Sequence, residues 1–233
     1  MGKYTSAVIL AAGNGTRFGG KVKKQYVEVL GVPCVVRTVE AFEACSLIDE
    51  IILVGDTEAL SEMFSHYSFK KISKIISGGE TRQDSALRGF DSVDEKSKFV
   101  AIHDAARCLI TPEMIERTVK AAYKHRAAAA AHKSEDTVKI ADKNGIIEKT
   151  TDRDKIWLVQ TPQVFNNDVY RVSAYMAKRD SAVVTDDCML CERLGFEVKL
   201  CECGRENIKL TNPDDLMLAE AIISYREKKE AIK

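Results

Sequence analysis

A loop near the start of the chain concentrates residue types that bind phosphate. The segment from Leu10 to Tyr26 reads LAAGNGTRFGGKVKKQY and contains four glycines and four cationic residues. Glycines let backbone amides approach phosphate oxygens, and arginine and lysine supply fixed positive charge. The loop directly follows a short apolar run that predicts a buried first strand. Its Arg17 and Lys24 are therefore expected to wrap a triphosphate, and a solvated basic loop is the plain alternative.

Two familiar phosphate-binding motifs fit this loop poorly. Gly15 to Lys21 has the spacing of a P-loop, but Val22 replaces the Ser or Thr whose hydroxyl binds Mg²⁺. A dinucleotide-binding pattern beginning at Gly13 fails at Phe18, where a glycine or alanine is needed. The favoured interpretation is a glycine-rich basic loop of another kind.

Three later segments follow, or lie near, the ends of predicted strands and carry further polar groups. They are Gly78–Ser85, His103–Arg107 and Asn207–Lys209. In an open parallel sheet, ligands bind beyond the carboxyl ends of the strands, so these segments are expected to meet the first loop. Together they supply backbone amides, cations and one acid, Asp104. That combination suits a nucleoside phosphate with a metal ion.

Strand and helix patterns alternate through the first half of the chain. Repeated units of this length predict an α/β protein with a mostly parallel sheet and helices on both faces. The predicted strands are Ser6–Leu10, Glu50–Val54, Lys74–Ile76 and Phe99–Ile102, and the predicted helices are Pro33–Cys45, Thr57–Tyr67, Thr81–Phe90 and Thr111 to about Arg126.

The middle of the chain predicts a projecting arm. Two alternating runs, Thr137–Ile140 and Ile146–Thr150, flank a polar turn that ends in Asn-Gly, which is a hairpin signal. An arm from about Lys133 to Ile156 is expected, and such arms often grip a second subunit. The five alanines at Ala127–Ala131 could extend the preceding helix, but a strand is the favoured interpretation. The other predictions nearby are strands at Trp157–Phe165 and Glu197–Cys201, and helices at Asn167–Arg179, Thr185–Leu194 and from Asn212–Asp215 onward.

The net charge, the length of the apolar runs and the cysteine content argue against several classes of protein. The formal net charge is +0, so a bulk electrostatic grip on nucleic acid or on an anionic membrane is not indicated. No apolar run approaches the roughly 20 residues of a membrane span. The seven cysteines fit reduced thiols in the cytoplasm. Cys188, Cys191, Cys201 and Cys203 have an uncommon spacing for zinc, and burial is the favoured interpretation for them.

Nine motifs, in order, give the chain a specific family resemblance. They are LAAGNGTRFG, KKQY, GGETRQDS, HDAAR, EDTVK, TDRDKIW, TPQVF, TDD and NIKLTNPDD. From about residue 5 to 225 the chain resembles the 2-C-methyl-D-erythritol 4-phosphate cytidylyltransferases of the non-mevalonate isoprenoid pathway. The resemblance implies one Rossmann-like nucleotidyltransferase domain over residues 1–233, with a β-arm at 133–156 that builds a homodimer. Lys23 and Cys108 stand where the family usually has proline.

The resemblance also implies a reaction and a set of residues. CMP would pass from CTP to methylerythritol phosphate, a polyol phosphate, with Mg²⁺ as the cofactor held by Asp104. The implied catalytic cations are Arg17, Lys24 and Lys209. The implied CTP contacts are Ala11, Ala12, Gly13, Gly15, Gly79, Glu80 and Ser85. The implied substrate contacts are Asp104, Arg107, Thr161 and Thr185, with Thr137 and Arg153 from the partner's arm.

Three other functions stay open at this point. A ribitol 5-phosphate cytidylyltransferase would differ in only a few contacts to a similar polyol phosphate. A CTP-binding module without turnover would share the fold, although Arg17, Lys24, Asp104 and Lys209 together favour an enzyme. A P-loop GTPase or ATPase would hydrolyse nucleotide without any polyol.

Overall fold

Strands and helices alternate along the chain in the predicted order. The computed structural model describes residues 3–13 and 23–231. Its strands are β1 (Thr5–Leu10), β2 (Glu28–Val29), β3 (Val32–Pro33), β4 (Glu50–Gly55), β5 (Ile72–Ser77), β6 (Phe99–Asp104), β7 (Ala127–Lys133), β8 (Lys139–Ala141), β9 (Ile147–Thr150), β10 (Trp157–Asn166) and β11 (Lys199–Glu202). Its helices are α1 (Cys34–Ala44), α2 (Thr57–Phe64), α3 (Arg82–Asp91), α4 (Pro112–His125), α5 (Asn167–Arg179), α6 (Asp187–Glu192) and α7 (Asp214–Ala231), with single 3₁₀ turns at Lys24–Tyr26 and Arg153–Lys155.

Seven strands form one mostly parallel sheet, as the sequence predicts. Their order is β11-β7-β10-β6-β1-β4-β5, and β10 is antiparallel to both of its neighbours. The chain moves from β1 to β4 and β5 on one side, and then crosses to β6 on the other side. This reversal creates a crevice at the carboxyl ends of β1 and β6, where open α/β sheets bind their ligands.

Each face of the sheet is covered by its own helices. Along β1, Ala7 and Ile9 belong to one buried cluster with side chains of α1, α2 and α4. Val8 and Leu10 belong to a second cluster with side chains of α3, α5 and α6. Because successive side chains of a strand point to opposite faces, the continuous apolar run from Ala7 to Leu10 suits a sheet that is covered on both faces.

The five alanines at 127–131 form the first five residues of β7, as the sequence predicts. All five are at most 1% exposed. β7 pairs with β10 on one side and β11 on the other. The small side chains leave little room between sheet and helix, so α4 packs close to this strand.

The predicted arm is present as a two-stranded hairpin. β8 and β9 pair with each other in a separate antiparallel sheet, and Asp142 and Gly145 close the turn between them. All residues of both strands are exposed. Ile140, Ile146 and Ile147 are between 46% and 66% exposed, which is unusual for isoleucine. Exposed apolar side chains grouped in this way often mark a contact surface.

Several element boundaries differ from the predictions. The helix expected at Thr185–Leu194 begins only at Asp187, because the Asp186 side chain accepts a hydrogen bond from the Met189 amide and caps it. The helix expected at Thr57–Tyr67 ends at Phe64, and Tyr67 stacks on Phe69 instead. The hairpin of β2 and β3 was not predicted at all.

The cysteines are buried, as expected. Cys188 and Cys191 lie in the cluster on one face of the sheet, whereas Cys201 and Cys203 lie in the cluster on the other face. The two pairs therefore cannot share one tetrahedral metal site. Within the described ranges, no helix is both long and apolar enough to cross a membrane.

Candidate active site

A pocket lies at the carboxyl ends of β1 and β6, in the crevice that the strand order creates. We call it the strand-end pocket. Its volume is about 430 Å³. It collects residues from the first loop, the start of α3, the end of β6 and the segment before α7. The lining residues are Leu10, Ala12, Gly13, Lys24, Gln25, Gly79, Glu80, Thr81, Arg82, Ser85, Asp104, Ala106 and Lys209.

Asp104 is the ionic centre of this pocket. It is the last residue of β6 and pairs in register with Leu10 of β1. Lys209 Nζ donates to Asp104 Oδ2 at 2.6 Å, and Arg82 Nε donates to Asp104 Oδ1 at 3.0 Å. Burial by itself would raise the pKa of Asp104, but the charges of Arg82 and Lys209 hold that pKa well below its usual range. The carboxylate is therefore ionised at neutral pH. A turn, not a helix, follows Asp104 in the chain.

The start of α3 forms one wall of the pocket. Thr81 caps the helix by a reciprocal pair of hydrogen bonds with Asp84. Ser85 Oγ accepts from the Gly79 amide at 3.0 Å and donates to the Thr81 carbonyl at 2.9 Å. These bonds fix the Gly79 backbone at the pocket wall.

Glycine is required where this wall meets the first loop. A Cβ added at Gly78 would lie 2.3 Å from the Cβ of Ala12, and one added at Gly79 would lie 2.3 Å from the Cβ of Asp84. Contacts this short are not tolerated without backbone movement. Glycine backbone therefore forms this side of the site, and Gly79 lines the pocket.

Lys24 and Gln25 form another part of the pocket wall. Lys24 lines the pocket, whereas the neighbouring Lys23 forms an ion pair of 3.6 Å with Asp56 at the end of β4. Gln25 is buried, and its Nε2 donates to the carbonyls of Ala11 at 2.7 Å and Gly13 at 3.0 Å. Gln25 therefore fixes the backbone that leaves β1.

A series of buried hydrogen bonds links Asp104 to Thr161 and His103. The Asp104 amide donates to Thr161 Oγ at 3.1 Å, and Thr161 Oγ lies 3.0 Å from His103 Nδ1. Burial lowers the pKa of His103 to about 3, so the ring is neutral and its Nδ1 accepts the Thr161 hydroxyl hydrogen. The other ring nitrogen, Nε2, lies 3.4 Å from the Arg107 carbonyl. This chain fixes the backbone between β6 and the Arg107 side chain.

Arg107 lies next to the pocket rather than in its lining. Its Nη1 donates to the Asn207 carbonyl at 2.8 Å, while its Nε is buried without a hydrogen-bond partner among the described residues. Burial lowers the pKa of Arg107, but a guanidinium remains charged at neutral pH. An unused buried donor of this kind can be satisfied by a bound anion.

The structure brings together half of the sixteen residues that the family resemblance implied. Ala11 and Thr161 are buried beside the pocket, and Arg107 is half-buried beside it. Thr137, Arg153 and Thr185 are exposed and outside the lining, and Arg17 and Gly15 lie outside the described residues. The eight residues in the lining are Ala12, Gly13, Lys24, Gly79, Glu80, Ser85, Asp104 and Lys209.

Sequence reasoning missed Arg82 and Gln25 in the lining and Asp187 just behind it. Arg82 Nη1 donates to Asp187 Oδ2 at 2.7 Å, and Asp187 is 1% exposed. All three residues occur inside motifs that carry the resemblance, namely GGETRQDS, KKQY and TDD. Their position in those motifs was the available signal.

The donor chemistry of the pocket is compatible with Mg²⁺. Among the described residues, no group of three or more His, Cys, Asp and Glu side chains could hold a metal. Mg²⁺ is usually held by one or two carboxylates together with substrate phosphates and water. Asp104 offers one carboxylate, and each of its oxygens has a second lone pair beyond its ion pair. The site thus fits a metal that arrives with phosphate ligands.

Comparison with known proteins gives one consistent result. The family model for 2-C-methyl-D-erythritol 4-phosphate cytidylyltransferase, also called IspD, matches residues 5–225. A 2-C-methyl-D-erythritol 4-phosphate cytidylyltransferase from Caldanaerobacter subterraneus subsp. tengcongensis is 41% identical over 222 residues, which are 94% of this chain and 98% of the relative. The enzyme of that name from Symbiobacterium thermophilum is 40% identical, over 94% of this chain and 92% of the relative.

Solved structures agree with the sequence comparison. The crystal structure of 4-diphosphocytidyl-2C-methyl-D-erythritol synthase from Anaerococcus prevotii superimposes with a TM-score of 0.85 at 32% identity. The match covers 95% of this chain and 96% of that one. These comparisons do not favour the ribitol 5-phosphate alternative.

Proposed function

Because the chain belongs to the 2-C-methyl-D-erythritol 4-phosphate cytidylyltransferase family, we propose that it transfers CMP from CTP to 2-C-methyl-D-erythritol 4-phosphate in the strand-end pocket. The products are CDP-methylerythritol and pyrophosphate. One observation carries the location of this reaction: Lys24, Asp104 and Lys209 come from three distant segments and line the same crevice. Convergence of this kind supports a site for a charged ligand.

The reaction needs positioning more than acid–base chemistry. A phosphate oxygen of methylerythritol phosphate attacks the α-phosphorus of CTP in line. The bond from that phosphorus to the bridging oxygen breaks, and pyrophosphate leaves with the electron pair. The nucleophile is already anionic, so no side chain has to remove a proton. The protein's task is to hold two polyanions together and to neutralise the charge that develops between them.

The cations of the site would perform this task. Lys24 and Lys209 are proposed to hold the triphosphate from two sides, together with Arg17. In the structure Lys209 is paired with Asp104, so a phosphate oxygen would compete with that carboxylate for the ammonium group. The pairing keeps Lys209 oriented toward the pocket before any ligand binds, which reduces the reorganisation needed for catalysis.

The glycine-lined side of the pocket would select the cytosine ring. Ser85 fixes the Gly79 backbone there by a hydrogen bond. Hydrogen bonds from fixed backbone groups discriminate bases by position and would favour cytosine over a larger purine. Ala11, Ala12, Gly13 and Gly15 would lie against the base and ribose, with Glu80 at the rim.

The polyol phosphate would bind beside Asp104, toward Arg107. The buried, unpartnered Nε of Arg107 supports an anion there. Thr161 and Thr185 are proposed as further contacts on the same side, although the Thr161 hydroxyl is engaged by His103 and the Asp104 amide before a ligand arrives.

The arm would complete this site in a homodimer. Thr137 and Arg153 are exposed on the arm and lie outside the lining of the pocket of their own chain. The exposed isoleucines of the hairpin support a subunit contact. In that dimer, Thr137 and Arg153 of one subunit would contact the substrate phosphate bound to the other.

Mg²⁺ is the proposed cofactor, and Asp104 would hold it together with phosphate oxygens. When bound, the ion supplies charge neutralisation and aligns the phosphates. Asp104 can provide this ligand because its pKa is held low by Arg82 and Lys209, even though burial opposes ionisation. A cytoplasmic location is also proposed, supported by the seven free cysteines.

The function is tested by a matrix of alcohols and nucleotides. The pure protein is incubated with Mg²⁺, either methylerythritol phosphate or ribitol 5-phosphate, and CTP, UTP, ATP or GTP in turn, and pyrophosphate release is measured. We expect release with CTP and methylerythritol phosphate. Equal release with every nucleotide, or with ribitol 5-phosphate alone, contradicts the proposal, and hydrolysis without any alcohol indicates a nucleotidase.

A further inference from the structure

Arg82 is held between two carboxylates of unequal burial. Its Nε donates to Asp104 Oδ1 at 3.0 Å, and its Nη1 donates to Asp187 Oδ2 at 2.7 Å. The Arg82 side chain is 32% exposed and lines the strand-end pocket, whereas Asp187 is 1% exposed and does not. Its third nitrogen, Nη2, makes no hydrogen bond to the part of the chain that the structure describes. Arg82 therefore offers one donor to the pocket while its other two nitrogens are fixed.

Asp187 is itself fixed from three directions. The Tyr170 hydroxyl donates to Asp187 Oδ1 at 2.9 Å. The Asp187 amide donates to Gln163 Oε1 at 2.9 Å, and Arg82 binds the remaining carboxylate oxygen. Tyr170 is fully buried and packs against Phe90, with 4.9 Å between the ring centroids. A carboxylate held in this way cannot follow a movement of Arg82.

The buried negative charge of Asp187 keeps the Arg82 guanidinium in place. A buried carboxylate without a counter-ion is strongly unfavourable, so Asp187 requires the guanidinium. Burial by itself would lower the pKa of Arg82, but Asp187 and Asp104 together raise it, and the group stays cationic. If Asp104 turns toward a ligand, Arg82 still keeps Asp187 as its partner. Arg82 is then neither left uncompensated nor pulled out of place.

We propose that Asp187 and Tyr170 are positioning residues that hold Arg82 as a further fixed cation at the triphosphate. This inference rests on the proposed function of the strand-end pocket. A guanidinium with two nitrogens anchored presents its third at a set angle, which suits a phosphate oxygen better than a mobile cation does. Asp187 and Tyr170 do not touch the substrate in this arrangement. Their effect passes through the orientation of Arg82.

Two single variants test the proposal with purified enzyme, CTP and methylerythritol phosphate. Tyr170→Phe removes one hydrogen bond to Asp187 and leaves every charge in place. Asp187→Asn removes the charge and retains the shape. We expect kcat to fall by about 10- to 100-fold, since small misplacements of an orienting group have effects of this size. The Kd for CTP from calorimetry should change by less than about threefold, because Arg82 remains cationic.

The chain offers a matched control on the same helix. The Tyr175 hydroxyl donates to Asp91 Oδ1 at 2.9 Å, but this pair is exposed and lies outside the strand-end pocket. Tyr175→Phe and Asp91→Asn should therefore leave kcat unchanged. The wild type is measured in the same assay. If it transfers no CMP, the proposed function itself is refuted. If it does, the variants test the positioning of Arg82 alone.

A double-variant cycle distinguishes positioning from general stability. If Asp187 acts through Arg82, Arg82→Gln combined with Asp187→Asn should lose no more kcat than Arg82→Gln alone. Independent losses that multiply would overturn the proposal, as would full kcat in both Tyr170→Phe and Asp187→Asn. If Asp187→Asn fails to fold, Arg82→Gln with Tyr170→Phe gives the same cycle and the same decision.

Discussion

Lys209 Nζ lies 2.6 Å from Asp104 Oδ2, although 105 residues separate the two in sequence. The pair joins the end of β6 to the segment before α7 and leaves both groups at the wall of the strand-end pocket. An ammonium group held in this way is oriented before a ligand arrives. Its loss should affect catalysis more than folding, because Arg82 still neutralises Asp104.

Lys209→Ala is expected to lower kcat by about 100- to 1,000-fold, as the loss of one preorganised charge commonly does. The midpoint of thermal unfolding should change little. Steady-state kinetics with both substrates and a thermal melt provide the measurement. Lys199→Ala, at an exposed position on β11, is the control and should retain wild-type kinetics. A Lys209→Ala enzyme within tenfold of wild type would remove Lys209 from the proposed mechanism.

Two neighbouring lysines give a sharper comparison. Lys24 lines the pocket, whereas Lys23 faces Asp56 in an exposed ion pair of 3.6 Å. We expect Lys24→Ala to lose about two to three orders of magnitude in kcat. Lys23→Ala should keep most of its activity, since exposed ion pairs contribute little. The opposite ranking of the two variants would show that the first loop is aligned incorrectly with the family.

The general location of the site could be predicted because the topology of a parallel sheet brings the segments that follow its strands to one edge. Parallel strands bring their carboxyl ends to one edge, so the segments after Leu10, Ser77 and Asp104 had to meet there. The helix predicted at Thr81–Phe90 matches α3, which Thr81 caps. The alanine strand was also predictable, since five small residues suit a strand between closely packed helices.

Long-range partners could not be predicted from local patterns. In TRQDS, Arg82 has the pattern of a surface residue in the first turn of a helix. Its importance comes from Asp104 and Asp187, which lie 22 and 105 residues away. Gln25 likewise gives no local signal of burial. Only the structure shows that it binds the carbonyls of Ala11 and Gly13.

The Ala12–Gly78 contact predicts a compensating pair of substitutions. Gly78→Ala would place its Cβ 2.3 Å from the Cβ of Ala12, so the two pocket walls must separate. We expect weaker CTP binding, by roughly tenfold or more, since overpacking forces backbone shifts. Ala12→Gly in the same chain removes the opposing Cβ and should recover most of the affinity, measured by calorimetry. A double variant no better than Gly78→Ala would mean that Ala12 is not the obstacle.

If the arm completes the site of the partner subunit, each active site contains residues of both subunits. Arg153 is exposed in a 3₁₀ turn at the base of the arm, and its Nη1 donates to the Glu135 carbonyl at 3.0 Å. Lys24 lies in the strand-end pocket of the same chain. If Arg153 acts on the partner's substrate, Arg153→Ala and Lys24→Ala homodimers should each be nearly inactive. A heterodimer of the two contains one site with both residues intact.

Mixing the two variants after mild unfolding and refolding should therefore recover activity. Random exchange gives half heterodimers with one functional site of two, so about a quarter of the wild-type rate is expected from the dimer symmetry. Light scattering checks that the mixture is dimeric. Ile147→Glu, which puts a charge on the exposed face of the hairpin, should prevent both dimer formation and recovery. Recovery absent from a confirmed dimeric mixture would mean that each site is built within one chain.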